Sequence, residues 1–286
     1  SYIEIQGQFT NMLGGACAAL LLTGISSGPK EVMGYLFELP FSIEKWDLHQ
    51  IFLLDGITYV IAFLLISFMK YESIADPKRD TGTILERIML GFSYLRNNKV
   101  VFIFGVASFT VFVTVLIVGF YLTPIYVTKH LYSGAGVYAT ADMFFAFGAI
   151  LAGAGIHWVF HRLNSVQTIL FLSTMTAGIY FFFMHNTNIP VFYAAMLLLG
   201  MSNAGIRITR ITYLFKHIPN AVIGRAASIF GMTNVVLRVS FISLFTIPFF
   251  VEGNNIIYSF LILGVLILIF NVPLIIYYKA IEKDNH

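Results

Sequence analysis

Five ionisable side chains stand inside apolar runs of this chain: Asp55, Asp142, Arg207, Arg210 and Arg238. A charge buried in hydrocarbon is costly, so such groups face protein or a water-filled cavity and handle charged cargo or protons. Arg207 and Arg210 lie one helical turn apart and fit two readings. One is a cationic wall that contacts an anionic substrate or a gating carboxylate. The other is a pair of arginines snorkelling to the membrane surface. Asp142 is either interfacial or paired with Arg238 across helices, a pairing that lowers the cost of both charges. Asp55 reads as a helix-entry carboxylate favoured by the helix dipole.

A second group is polar and uncharged. Ser108, Thr110 and Thr114 fall in one apolar run, Thr110 and Thr114 at a spacing that shares a helix face. Ser202 and Asn203 fall in another, from which they could join them across a cavity. Such hydroxyls either touch a ligand or bond their own backbone and neighbouring helices. No group of His, Cys and carboxylates has metal-ligand spacing, and no phosphate-binding glycine loop is present, so neither a metal nor a cofactor is expected. His157 and His161 share a helix face without further ligands. Cys17 is the lone cysteine and cannot form an internal disulfide. Clustered catalytic groups are lacking, and an enzyme is not expected.

The elements that carry these residues are membrane spans. The chain has 286 residues, 58% hydrophobic and 11% charged, against roughly 25% charged in a soluble domain. Eight apolar stretches are long enough to cross a bilayer: 6–26, 50–69, 100–127, 137–160, 165–184, 189–214, 222–250 and 255–278. Continuous rather than alternating apolar runs disfavour a β-barrel. Lys70, Lys78, Arg79, Arg87, Arg96, Lys99, Arg162, Lys216, Arg225, Lys279 and Lys283 crowd one set of loops. Only Lys30, Lys45 and Lys129 lie in the other set, so the first is cytoplasmic, and with it both chain ends. Basic residues dispersed along one membrane side do not make a nucleic-acid surface.

The longest cytoplasmic connection contains TILERIMLGFSYLRNNK, where Leu85, Ile88, Phe92 and Leu95 recur at helical spacing. It is either a helix on the inner membrane surface or an amphipathic extension of the next span. The outer loop from residue 26 to 50 holds Trp46, which suits an interfacial anchor. Small residues at Gly148, Ala152 and Gly155 predict close helix packing, as do Gly14, Gly15, Ala18 and Ala19.

Three segments carry a resemblance: FLLDGITYVIAFLLISFM at 52–69, GFSYLRNNKVVFIF at 91–104 and IPNAVIGRAASIFGM at 218–232. In order and spacing they resemble spans six, seven and eleven of the major facilitator superfamily. Within it they are most similar to the macrolide-efflux and enterobactin-efflux exporters. The resemblance implies an all-α, polytopic membrane bundle. Residues 1–69 would hold the last two spans of an N-terminal half, 70–99 a linker, and 100–286 a six-span C-terminal half. It implies that the first four spans of a twelve-span transporter are not in this sequence. The family's second-half loop pattern, G-x-x-x-D-R-x-G-R, is poorly kept: aligned on Arg162, this chain has His157, His161 and Asn164 in place of Gly, Asp and Gly.

The activity so implied is proton-coupled efflux of a bulky drug-like or siderophore-like molecule from the inner membrane by a monomer, with the bilayer as its only other partner. Span ten of the family lines the central cavity, which favours the cavity reading of Arg207. The alternatives are an uptake carrier of the same fold and a non-transporting membrane scaffold.

Overall fold

The computed structural model describes residues 44–69, 83–160 and 163–278 continuously and, before them, residues 6, 7, 9, 10, 13, 14, 17, 21, 24, 28–32, 35–39 and 42. Most of the expected first span therefore lies outside the described residues, as do the connection at 70–82, the His161–Arg162 pair and residues 279–286. By its internal contacts the chain divides into two units, residues 13–81 and residues 82–286 with the first 12.

The first unit holds an antiparallel hairpin, β1 (Gly28–Val32) and β2 (Tyr35–Leu39), in the expected outer loop. It also holds α1 (Leu48–Phe68), whose apolar side chains, Phe52, Phe63 and Phe68 among them, are exposed.

The second unit is a bundle of helices. A short helix, α2 (Ile84–Asn97), leads into α3 (Lys99–Ile117), a π-helical turn (Val118–Leu122) and α4 (Thr123–Lys129), which together make one span. There follow α5 (Ala135–Phe160), α6 (Ser165–Phe183), α7 (Ile189–His217), α8 (Asn220–Phe245), the short α9 (Pro248–Val251) and α10 (Ile256–Ile276). Among the described residues, seven helices are long and apolar enough to cross a membrane.

Local chemistry explains the boundaries. Thr83 caps α2 reciprocally: its side chain accepts from the Glu86 amide at 3.3 Å, and the Glu86 carboxylate accepts from the Thr83 amide at 2.9 Å. Asn98, at φ −110° and ψ 68°, separates α2 from α3, so α2 is not a continuation of the span. Instead it docks on the start of α8, with Leu95 buried and Gly91 backed against Arg225. Tyr94 donates to the His217 carbonyl at 3.0 Å. Burial raises its phenol above the usual range.

The expected span over 222–250 is shorter than its hydropathy suggests. It ends at Phe245, because Pro248 supplies no amide and disfavours helix at the residue before it.

Two packing layers follow from the contacts. α5 packs along α7, and α7 along α6 and α3; α6 packs on α10, while α8 packs on α3 and α2. At the end where α4 finishes, aromatic rings fill the core, with Tyr126 against Phe183, Phe192 and Phe260 at centroid distances of 5.2–5.5 Å.

Candidate substrate cavity

The α5–α7 contact sets the frame of the site. A Cβ built on Gly148 would overlap the Leu197 carbonyl, and one built on Gly200 would overlap the Phe145 carbonyl. Each glycine thus meets the backbone one turn before the other glycine. That reciprocity fixes two parallel helices in register, Gly148 level with Gly200. It also sets Asp142 level with Ala194, thirteen residues before Arg207 on α7. At about 1.5 Å per residue, Asp142 and Arg207 stand about 20 Å apart along the bundle.

Both residues line one cavity of about 350 Å³, together with Asn203 on α7, Phe112 on α3 and Gly119 in the π-helical turn. The turn is part of its wall: Val118, Gly119 and Phe120 all border it, and Tyr138 on α5 donates to the Gly119 carbonyl at 3.3 Å. Single π turns inside α-helices often mark functional positions, because they re-aim the side chains around them. The wall is otherwise mostly aliphatic and aromatic, as in a pocket for an organic ligand.

The model of one family, described as the Major Facilitator Superfamily, matches residues 1–242. The chain belongs to the Major Facilitator Superfamily. No curated protein and no solved structure gives a match. Members of this superfamily are transporters rather than enzymes, and the helical bundle described above is a multi-pass membrane transporter.

Within this facilitator the polar residues separate into distinct groups. Arg207, Asn203 and Asp142 share the cavity. Arg210 does not reach for the membrane surface. It is 4% exposed, its guanidinium carbon lies 3.9 Å from the Phe109 ring centre and 5.3 Å from that of Phe112, and its Nη1 donates to the Ser108 carbonyl at 3.1 Å. The snorkelling reading of Arg210 is therefore corrected: aromatic rings on α3 offer the guanidinium a closer site than the interface does.

The hydroxyls stay on their own helices. Ser108 donates to Gly105, Thr110 to Val106, Thr114 to Val111 and Ser202 to Leu198, all at 2.9–3.0 Å. None of the four borders the large cavity. Thr110 instead borders a void of about 10 Å³ with Thr233 and Asn234, room for one water at most. Thr114 accepts from Tyr180 at 3.3 Å and ties α3 to α6.

Asp142 and Arg238 do not form the cross-helix pair among the described residues. α5 packs on α7, whereas Arg238 is half-buried on α8, which packs on α3. Asp55 is exposed in the second turn of α1; the helix-entry position belongs to Asp47, whose amide is held by the Gln50 side chain at 2.9 Å. Among the described residues, no cluster of His, Cys, Asp and Glu could hold a metal.

One polar cluster has no forerunner in the sequence reading. His130, 6% exposed, bonds the Asn186 carbonyl through Nε2 at 2.9 Å and the Asn254 side chain through Nδ1. Tyr126 Oη lies 2.9 Å from the carbonyls of Phe183 and Asn186. Three connections are thereby tied together at one end of the bundle. In sequence, His130 sits among ordinary loop residues, and its partners are 56 and 124 positions away.

Proposed function

We propose that this facilitator is a proton-coupled secondary exporter of a drug-like or siderophore-like organic molecule in the inner membrane, both described termini of the bundle facing the cytoplasm. Residues 100–286 then act as the C-terminal half, rocking against the N-terminal spans around a cavity by alternating access. The observation that carries this reading is the convergence of Arg207, Asn203 and Asp142 on a largely apolar cavity of about 350 Å³. The exporter class is supported by the three segments that resemble the macrolide-efflux and enterobactin-efflux group. The orientation in the membrane is supported by the crowding of lysine and arginine in one set of loops.

Proton coupling has one structural candidate. Asp142 is the carboxylate among the described residues that line the cavity. A carboxylate that binds a proton on one side of the membrane and releases it on the other exchanges protons for cargo. In inside-out vesicles, an imposed pH gradient should drive accumulation of macrolide or catecholate siderophore probes by the wild-type chain. Asp142→Asn should leave residual flux that no longer responds to the gradient. Flux in the opposite direction would make the protein an uptake carrier, and no flux in either direction would sink the transport reading of this cavity.

A further inference from the structure

The charges of the cavity lie at opposite ends. The Asp142 Cα stands about 20 Å from the Arg207 Cα along the bundle, by the Gly148–Gly200 register, a span that the reach of the arginine side chain shortens. The carboxylate end also carries the Tyr138 phenol, one turn earlier on α5. The guanidinium end carries Asn203, one turn earlier on α7. Between the two ends the lining is apolar, with Leu116, Phe145, Met196 and Leu199.

The positive end is reinforced from behind. Arg210 packs its guanidinium over Phe109 and Phe112, and Phe112 is itself a cavity wall. Its positive charge is held at the Arg207 end by these rings and by the Ser108 carbonyl. In a site of low dielectric, separated charges are screened weakly and favour one ligand orientation strongly.

From this geometry we infer that the transported molecule is an elongated dipolar amphiphile: an ammonium or similar cation at one end, a carboxylate or similar anion at the other, and an apolar middle. The inference rests on the cavity being the transport site. The cation pairs with Asp142, the anion with Arg207 and the Asn203 amide, and the middle lies on the aromatic and aliphatic wall. A compact zwitterion cannot reach both ends, and a molecule charged at one end gains only one of the two ionic contacts.

The test uses the full chain in lipid nanodiscs and radiolabelled 12-aminododecanoic acid, dodecanoic acid, dodecylamine and 6-aminohexanoic acid. The long amino acid should bind at least tenfold tighter than each of the others. Arg207→Gln should remove its advantage over dodecylamine, and Asp142→Asn its advantage over dodecanoic acid. Arg207→Lys, which keeps the charge, should keep the preference, and this separates charge recognition from a general loss of folding. Equal binding of the probes, a preference for a singly charged or short probe, or no binding of any of them overturns the inference. Proton-driven flux of other cargo under such an outcome leaves the transport reading standing. Loss of all flux with the dipolar preference intact overturns transport and keeps the ligand class.

Discussion

Arg207 and Arg210 sit on the same helix three residues apart, and the bundle treats them oppositely. Arg210 is buried against rings: its guanidinium lies over Phe109 and beside Phe112, and Phe109 itself stacks on Phe230 at 5.1 Å. Arg207 borders a cavity instead. Three residues on an α-helix return to within about 60° of the starting direction. That small turn takes a guanidinium from the Phe109 ring to the wall of the cavity. What differs is the surroundings: rings on α3 hold the Arg210 cation, whereas Arg207 meets a cavity lined by α3, α5 and α7. Residue type alone does not assign a role to an intramembrane arginine; the groups packed around it do.

The comparison can be broken or sharpened by substitution. The largest effect is expected at the crossing that shapes the cavity side. Gly148→Leu has no room against the Leu197 backbone, and overpacking of this kind costs up to about 3 kcal/mol or more. Most of the folded protein should be lost, as read by the monodisperse peak after detergent extraction. Next comes Arg207→Ala, expected to cut transport about tenfold or more, of the order of 1.4 kcal/mol or more in the rate, with the yield of folded protein unchanged. Wild-type flux in that variant would return Arg207 to the surface-anchoring class.

Arg210→Met should behave the other way. It removes a desolvated cation–π contact worth about 2 kcal/mol, so the midpoint of thermal unfolding in detergent should drop before flux per folded molecule does. Arg210→Lys should not restore it, since an ammonium lacks the planar face that stacks. The smallest effect is expected for Thr110→Val. Its hydroxyl bonds its own helix, so stability should stay within about 0.5 kcal/mol and flux should be unaltered. A large loss of flux would bring the α3 hydroxyls back into the substrate path.

These contrasts mark what could be read from the sequence. The spans were legible because continuous apolar runs and polar breaks report depth in the membrane, and the expected 165–184 and 255–278 stretches match α6 and α10 within about two residues. Azimuth was not legible. Hydropathy placed Arg210 near the inner surface but could not say that Phe109 and Phe112 would stand beside it. Asp142 and Arg238 looked complementary in depth and sign, yet their helices pack on different neighbours. The hairpin at Gly28–Leu39 lies where hydropathy indicates only a loop, although YLFEL is rich in strand-forming residues. His130 was invisible for another reason: its bonds close loops that come together only when the helices are already packed.

The Gly148–Gly200 crossing also bears on the route by which cargo arrives. Where a methyl group cannot be added without striking a carbonyl, an acyl chain cannot pass. The α5–α7 seam is thus shut at this height, and a molecule dissolved in the lipid has no door between the two helices there.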